Sequence, residues 1–194
     1  QCAYAASKQM GEQIIKDFSK RNTFSKSILL RYFNPVGAHP SALIGENPIE
    51  KPNNLVPLIT QTAIGIFEKM YVWGNDYETR DGYCIRDYIH VMDIANAHTK
   101  ALENLLQNES NPPYEILNLG TGNGITVMEL IQTFEKISGV RLRYEIGPRR
   151  EGDVMAIYAN NEKARKVLNW QIRYSIEDMM QTAWAWQQML QKQA

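Results

Sequence analysis

The residues with the clearest chemical potential are Tyr4 and Lys8, four positions apart near the start of this 194-residue chain. On a helix, side chains at i and i+4 lie on one face, so this spacing places a phenol next to an ammonium group. A positive charge beside a phenol favours the phenolate form. Such a tyrosine can act as a general base on a substrate hydroxyl. The same spacing also occurs by chance in many helices, so the pair alone leaves both interpretations open.

Several polar residues farther along the chain are chemically suited to a ligand with phosphate and ribose groups, although nothing in their spacing alone singles them out. A diphosphate favours planar, bidentate donors, which arginines such as Arg86 and Arg150 can supply. A carboxylate such as Asp153 suits ribose hydroxyls, and a buried amide at Asn34 could donate to a phosphoryl or sugar oxygen. Structural alternatives exist for each. Arg86 could pair with Asp87, Arg150 could belong to a solvated charge run, and the asparagine could start a turn.

One glycine-rich segment imitates a dinucleotide-binding fingerprint. The sequence LGTGNG at 119–124 follows a predicted strand and precedes a predicted helix, and Glu145 lies about twenty residues farther on. Its last glycine, Gly124, comes one residue too early for G-x-G-x-x-G, and Ile125 occupies the required position. We therefore predict a structural turn here and not a cofactor loop.

The elements that must position these residues alternate between helices and strands, which indicates an α/β fold with a largely parallel sheet. The patterning predicts helices over 5–20, 56–69, 93–106, 127–138 and 175–192. It predicts strands over 27–33, 70–73, 115–119 and 141–145. The polar segment 34–55 is long for a loop in a compact domain, and such loops are often functional.

Local signals mark several helix ends. Asp93 and Thr126 are predicted to cap the helices that follow them. Ser175 and Asp178 have the spacing of a capping box, and Gly139 is predicted to end a helix.

Composition excludes several function classes. Basic and acidic residues both number 21, so the basic excess of a nucleic-acid-binding protein is missing. No apolar run is long enough to span a bilayer. The cysteines, Cys2 and Cys84, suit a reducing, cytoplasmic setting better than a disulfide framework. His39, His90 and His98 lack metal-ligand spacing, so we expect no metal site.

Four segments in order resemble the extended short-chain dehydrogenase/reductase superfamily and, within it, the UDP-glucose 4-epimerase family. They are YAASK (4–8), RYFNPVGAHPS (31–41), PNNL (52–55) with GNDYETRDGYCIRDYIHVMDIANAH (74–98), and PRREGD (148–153). The resemblance implies the C-terminal part of a Rossmann-type parallel sheet plus a smaller α/β substrate-binding lobe. Residues 1–35 would end the NAD-binding domain. Residues 36–194 would form mainly the substrate lobe, with about 88–120 returning to the Rossmann sheet.

The resemblance also implies a reaction, namely NAD-dependent 4-epimerisation of a UDP-hexose by transient oxidation at C4. Tyr4 would be the base, and Lys8 would assist it and hydrogen-bond the nicotinamide ribose. Tyr32 and Phe33 would lie near the nicotinamide. The implied substrate contacts are Asn34, Asn54, Leu55, Tyr71, Val72, Trp73, Arg86, Tyr88, Arg150 and Asp153. Ile157 matches a position that lines the hexose pocket, where an aromatic or much smaller residue is common, so the preferred sugar stays open.

Within that family, Arg86 and Arg150 correspond to arginines that clamp the diphosphate, and Asp153 to an acid that binds the uridine ribose. The segment 71–73 corresponds to the strand that stacks and pairs with uracil. The helix that carries the Tyr/Lys pair often forms a dimer bundle in this family, so we expect a homodimer.

The sequence begins at Gln1 without an initiator Met, and a helical pattern starts within a few residues, so we interpret it as a chain cut inside a larger domain. The glycine-rich cofactor half of the family fold does not precede Tyr4, and we expect this chain alone to bind NAD poorly and to be inactive. Two alternatives stay open. One is another nucleotide-sugar enzyme of the superfamily, such as a dehydratase, a UDP-N-acetylhexosamine epimerase or a uronate epimerase. The other is a non-catalytic fragment that acts only with an N-terminal partner.

Overall fold

The computed structural model describes residues 3–108 and 110–193, so Cys2 lies outside the described part. The helices are α1 (Ala3–Arg21), α2 (Leu55–Ala63), α3 (Val91–Gln107), α4 (Val127–Ser138), α5 (Glu162–Leu168) and α6 (Ile176–Gln193). The strands are β1 (Ser27–Tyr32), β2 (Asn34–Val36), β3 (Met70–Trp73), β4 (Ile85–Arg86), β5 (Tyr88–His90), β6 (Tyr114–Leu119), β7 (Ile125–Thr126), β8 (Tyr144–Gly147) and β9 (Ala156–Ile157). The predicted α/β class is confirmed.

Parallel pairing dominates the strands. β1 pairs with β6, β2 with β5 and β3 with β8, all in parallel. β4 lies between β7, which is antiparallel to it, and β9, which is parallel to it. The sequence pattern did not predict the short strands β2, β4 and β5. β2 lies in the polar segment 34–55, and β4 and β5 lie between the predicted strand 70–73 and the predicted helix 93–106. No helix of the described residues has the length and apolar character to cross a membrane.

Two apolar clusters hold these elements together. One joins α2, α4 and α6 to β3, with Ile59, Val72, Phe134 and Met180 wholly or almost wholly buried. The other joins α3, α5 and β6, with Leu117, Leu119 and Trp170 at its centre. The two clusters fix the elements that surround the candidate site. The division into a cofactor domain and a substrate lobe stays a prediction.

Several helix signals act as predicted. Thr126 and Glu129 form a reciprocal capping box at the start of α4, and Gly139 ends that helix with φ 71°. The Ser175 hydroxyl and backbone amide both donate to the Asp178 carboxylate at 2.8 Å, just before α6 begins.

The prediction that Asp93 caps α3 is wrong. The imidazole of His90 holds that position, because its Nδ1 accepts from the Met92 amide at 3.0 Å. The Asp93 carboxylate is instead buried and accepts from the backbone amides of Arg173 at 3.1 Å and Tyr174 at 3.2 Å. The carboxylate thus connects α3 to the segment that leads into α6.

Some element boundaries also differ from prediction. α2 ends at Ala63, because Gly65 adopts φ 87° and turns the chain. β8 begins at Tyr144, since the preceding Leu142 amide donates to the Glu135 carboxylate at 2.8 Å. The sequence analysis missed α5, whose seven residues bury only Ala164 and Leu168. That single i, i+4 pair is too short a pattern to indicate a helix.

Candidate functional site

A cleft of about 180 Å³ opens where the start of α2 faces strands β2 to β5. Its walls are formed by Asn34, Asn53, Asn54, Leu55, Leu58, Tyr71, Val72, Trp73, Cys84, Arg86, Tyr88, Val127, Arg150 and Asp153. Every residue that the sequence analysis assigned to the substrate lines this cleft, except Ile157. The fold thus brings together side chains from segments that are far apart in the chain.

One wall of the cleft is aromatic. Tyr71 and Trp73 lie two positions apart on β3, so their rings share one face of the strand. The rings stack with centroids 5.7 Å apart and planes 26° apart. The guanidinium of Arg150 lies 5.0 Å from the centre of the Trp73 ring. Val72 points the other way, into the core, so it offers backbone to the cleft. A flat aromatic surface beside a cation suits a planar base that carries an anionic group.

Arg86 is held rigidly beside Asp153. One guanidinium nitrogen, Nη1, donates to the Val154 carbonyl at 2.6 Å and to the Ile85 carbonyl at 2.9 Å. The other, Nη2, donates to the Asp153 carboxylate at 3.1 Å. The alternative pairing of Arg86 with Asp87 is wrong, because the Asp87 carboxylate faces a different set of groups. A fixed cation and a fixed carboxylate therefore lie side by side in the cleft wall.

The Asp87 carboxylate is fully buried and anchors the glycine-rich turn. Its Oδ1 accepts from the Thr121 amide at 2.8 Å and the Thr121 hydroxyl at 2.6 Å. Its Oδ2 accepts from the amides of Gly122 at 2.9 Å and Ala159 at 3.0 Å. Since this carboxylate already occupies the turn's amides, the turn serves the structure, as predicted, and does not offer them to a phosphate.

The start of α2, which borders the cleft, carries free backbone amides. Asn54 has N-cap geometry, with φ −80° and ψ 144°, yet its side chain makes no capping hydrogen bond. The Leu55 and Val56 amides find no acceptor among residues 3–108 and 110–193. The positive end of a helix with free N–H groups favours an anion.

Asn34 lies at the junction of the cleft with a second cavity. This cavity, of about 200 Å³, shares Asn34, Asn54, Leu55 and Tyr88 with the cleft and extends to Phe33 at the end of β1. The amide side chain of Asn34 is exposed, so the expectation of a buried amide there is wrong. Its backbone amide donates to the Asp87 carbonyl at 3.0 Å, which fixes the backbone of Asn34 at the border of the two cavities.

Tyr88 forms part of the floor of the cleft. It is 3% exposed, and burial raises the pKa of its hydroxyl above the ordinary value for tyrosine. The hydroxyl therefore stays protonated and neutral at physiological pH. Cys84 precedes it on the same face, two residues before Arg86, and was not predicted as a cleft residue. Cys84 directly precedes β4, and the alternation of 84, 86 and 88 is the sequence signal that places it on the same face.

The remaining cleft residues that sequence reasoning missed have weaker signals. Asn53 is adjacent to Asn54, and Leu58 lies one helical turn after it. Val127 is the first residue of α4 and comes close only through the fold, so no pattern in the sequence marks it.

The Tyr/Lys pair lies on α1, outside the cleft walls. The Lys8 ammonium lies 5.2 Å from the centre of the Tyr4 ring, so the two side chains share one helix face as the spacing predicts. Tyr4 is 71% exposed. α1 packs against β1 and β6, and the end of β1 carries Tyr32, whose hydroxyl lies 2.7 Å from His98 Nε2.

The sequence is similar to one family model and to several curated proteins. A family model described as GDP-mannose 4,6 dehydratase matches residues 1–183. A UDP-glucose 4-epimerase from Erwinia amylovora is 50% identical over 184 residues, which are 95% of this chain and 54% of that protein. One from Bacillus subtilis is 45% identical over 95% of this chain and 53% of that protein. The chain thus spans about half the length of the curated relatives it matches.

Solved structures give the same result. The UDP-glucose-4-epimerase from Stenotrophomonas maltophila, with bound NAD and formylated UDP-arabinopyranose, is 44% identical with a TM-score of 0.95, over 100% of this chain and 58% of that chain. That from Bifidobacterium longum, in complex with NAD+ and UDP, is 41% identical with a TM-score of 0.89, over 96% of this chain and 54% of that chain. The predicted resemblance is therefore confirmed. Because the family model matches nearly the whole sequence, the chain belongs to the GDP-mannose 4,6 dehydratase family, within the extended short-chain dehydrogenase/reductase superfamily.

Proposed function

We propose that the protein containing this chain interconverts UDP-galactose and UDP-glucose by NAD-dependent 4-epimerisation. In this proposal the chain supplies the nucleotide-sugar side of the active site and the tyrosine base. The observation that carries the proposal is the convergence of the expected substrate residues on one cleft, although they come from separate segments of the chain. The similarity to UDP-glucose 4-epimerases supports the same reaction.

The nucleoside occupies the aromatic end of the cleft. Its uracil packs against the wall formed by Tyr71 and Trp73, whose stacked rings supply a flat apolar surface. Asp153 accepts hydrogen bonds from the uridine ribose, and its ion pair with Arg86 holds its carboxylate in place. Arg150, already over the Trp73 ring, lies where the base and the first phosphate meet.

The diphosphate lies between the two cavities. Arg86 and Arg150 neutralise its charge, and the free amides of Leu55 and Val56 at the start of α2 donate to its oxygens. The hexose then extends past Asn34 into the second cavity, towards Phe33. This direction leads the C4 carbon towards the end of β1, where the resemblance expects the nicotinamide.

Tyr4 and Lys8 act on the hexose and on the cofactor. Tyr4 acts as the phenolate, the form that the neighbouring Lys8 ammonium favours, and becomes a phenol when it accepts the proton of the 4-hydroxyl. Lys8 also binds the nicotinamide ribose. Both residues are exposed, and the Lys8 ammonium lies 5.2 Å from the centre of the Tyr4 ring. The Tyr4 hydroxyl and the Lys8 ammonium are therefore both accessible to the hydroxyls of a bound ribose. Tyr32 and Phe33 lie against the nicotinamide. When bound, NAD supplies reversible acceptance of hydride from C4.

A homodimer through α1 forms part of the proposal. Met10, Ile14 and Phe18 follow one another at i, i+4 and i+8, and are 64%, 69% and 53% exposed. An apolar stripe of this spacing is typical of a helix that packs against another element. Sedimentation of the protein expressed from its own gene tests the dimer, with Ile14→Glu as the disrupting variant.

Catalysis is tested on the protein expressed from its own gene, with UDP-galactose as substrate and UDP-glucose as the measured product. Tyr4→Phe removes the hydroxyl and is expected to lower kcat by at least about 100-fold, since general acid–base catalysis contributes that much or more. Tyr144→Phe is the matched control, because Tyr144 lies on β8, away from the cleft walls. Equal rates for Tyr4→Phe and the control would refute the assigned base. A wild-type protein that neither binds UDP nor converts UDP-galactose would refute the proposed function.

A further inference from the structure

We propose that Glu46 is a positioning residue for the diphosphate site. Its carboxylate holds the Asn54 side chain away from the start of α2, which leaves the first amides of that helix free for the anion. The inference rests on the proposed function, because it concerns the groups that receive the diphosphate of the substrate.

The conformation of Asn54 is unusual for its position. Asparagine at an N-cap normally accepts a hydrogen bond from an amide of the first helical turn, which stabilises the helix. Asn54 has the backbone geometry of an N-cap but makes no such bond. Its Nδ2 donates instead to Glu46 Oε1 at 3.1 Å. Because a carboxylate only accepts, the amide nitrogen must be the atom that faces Glu46.

The start of α2 leaves Asn54 a single capping partner. An N-cap side chain accepts from the amide two or three positions ahead. The third position is Pro57, which has no N–H, so only the Val56 amide is available. If Asn54 turned to cap α2, its oxygen would occupy the Val56 amide, and the anion site would lose one of its two free donors. The bond to Glu46 uses Nδ2 and the cap would use Oδ1, but with Nδ2 on Glu46 the side chain makes no cap. The cap therefore requires a different position of the Asn54 side chain from the one that Glu46 holds.

The loop that carries Glu46 is fixed to α6. Trp186 Nε1 donates to the Glu46 carbonyl at 2.8 Å. Gly45 packs so closely that an added Cβ would lie 2.5 Å from the indole ring of Trp186. The next residue of α6, Gln187, accepts from the Thr60 hydroxyl of α2 at 3.2 Å. Since α6 contacts both the loop and α2, the backbone of Glu46 is fixed relative to the start of α2, within reach of Asn54.

Charge and position predict opposite effects for the removal of Glu46. A carboxylate near the site repels the diphosphate, so simple electrostatics predicts tighter anion binding when it is removed. If Glu46 instead keeps Asn54 off the helix, its removal lets Asn54 cap Val56 and weakens binding. The sign of the change separates the two explanations.

The first test measures the affinity for UDP by calorimetry on the protein expressed from its own gene. Glu46→Ala is expected to raise the Kd about five- to tenfold, the equivalent of one capping bond that the ligand must break. Glu46→Gln retains an acceptor for the Asn54 amide and is expected to stay within about twofold of wild type, or to bind more tightly. Unchanged or tighter binding by Glu46→Ala would overturn the inference while leaving the proposed function intact.

The second test needs no ligand. Amide hydrogen exchange of Val56 is expected to slow several-fold in Glu46→Ala, because Asn54 then protects that N–H. The Glu46→Ala/Asn54→Ala double variant is expected to exchange as fast as wild type, since it has no side chain to form the cap. Equal Val56 exchange in wild type and Glu46→Ala would overturn the inference. If wild type fails to bind UDP, the proposed function fails, and this measurement still decides whether Glu46 holds Asn54.

Discussion

Arg86 lies directly opposite Ile157 in the parallel pairing of β4 with β9. The guanidinium of Arg86 is held in place by the Val154 carbonyl and by Asp153, so position 157 has a fixed relation to the proposed diphosphate site. Ile157 does not line the cleft itself, and its side chain is 46% exposed. It therefore stands beside the cleft, and under the proposed function the size of its side chain would limit the sugar attached to the diphosphate.

Changing the size of residue 157 is expected to change the preferred sugar. Ile157→Ala opens space for an N-acetyl group and should raise kcat/KM for UDP-N-acetylglucosamine relative to UDP-glucose by about tenfold, as changes of a few methylene groups do. Ile157→Tyr should lower the same ratio. Ile146→Ala, a similarly exposed isoleucine on β8, is the control. A ratio that does not respond to the side chain at 157 would remove this residue from the hexose pocket.

Arg150 is expected to contribute to UDP binding through the planarity of its guanidinium as well as its charge. Lysine at this position keeps the charge but loses the contact with the Trp73 ring and the bidentate geometry. We expect Arg150→Lys to raise the Kd for UDP about tenfold in calorimetry.

The neighbouring Arg149 provides a matched control for that measurement. Its guanidinium lies 4.3 Å from the centre of the Tyr77 ring and donates to Asp76 at 2.8 Å, outside the cleft walls. Arg149→Lys should leave UDP binding unchanged. Equal losses in both variants would show that general positive charge, and not the placement of Arg150, determines the affinity.

Much of the cleft could be predicted from the sequence, because its residues stand in motifs that resemble those of a known family. The motif that contains Arg86 and Tyr88 alternates along two short strands, and PNNL marks the start of α2. The family resemblance supplied the residues that periodicity alone does not single out. Without it, the pattern would have given only an α/β domain with a Tyr/Lys pair.

The features that escaped prediction depend on contacts between distant segments. The sequence suggests only Arg86 as a partner of Asp87, yet the Asp87 carboxylate accepts from amides more than thirty positions away. Asp93 stands just before an apolar helical pattern, which predicts a helix cap. Its carboxylate instead accepts from the backbone amides of residues 173 and 174. Sequence patterns identify hydrogen-bond partners only a few positions away. They therefore do not reveal that a buried carboxylate binds groups that the fold brings from distant segments.

We expect substitutions of Asp87 to be among those that destabilise the fold most. Asn at this position replaces one carboxylate oxygen by an NH2 group, which faces backbone N–H donors and cannot accept from them. Two buried donors then lose their acceptor, so Asp87→Asn should lower the free energy of unfolding by about 3 kcal/mol. Urea unfolding monitored by circular dichroism measures it. Asp76→Asn, at an exposed ion pair, is the control and should unfold like wild type.

His90 is expected to make the stability of the protein depend on pH. Burial lowers the pKa of this imidazole from 6.5 to about 4, with Asp178 opposing the shift. Between pH 6.5 and 4 the unfolded chain binds a proton that the folded chain excludes, so the free energy of unfolding falls as the pH falls. The loss amounts to at most about 3 kcal/mol, and urea unfolding across this range measures it.

The comparison that isolates His90 is the difference between wild type and His90→Asn at each pH. Asparagine can still accept from the Met92 amide and so keeps the cap of α3, but it does not titrate. Both proteins retain Asp93, whose pKa burial raises, and Asp178, whose pKa the Ser175 amide lowers, so those contributions largely cancel. The difference should shrink steadily from pH 6.5 to pH 4. A difference that is constant with pH would mean that His90 takes up its proton equally well in the folded and unfolded chains.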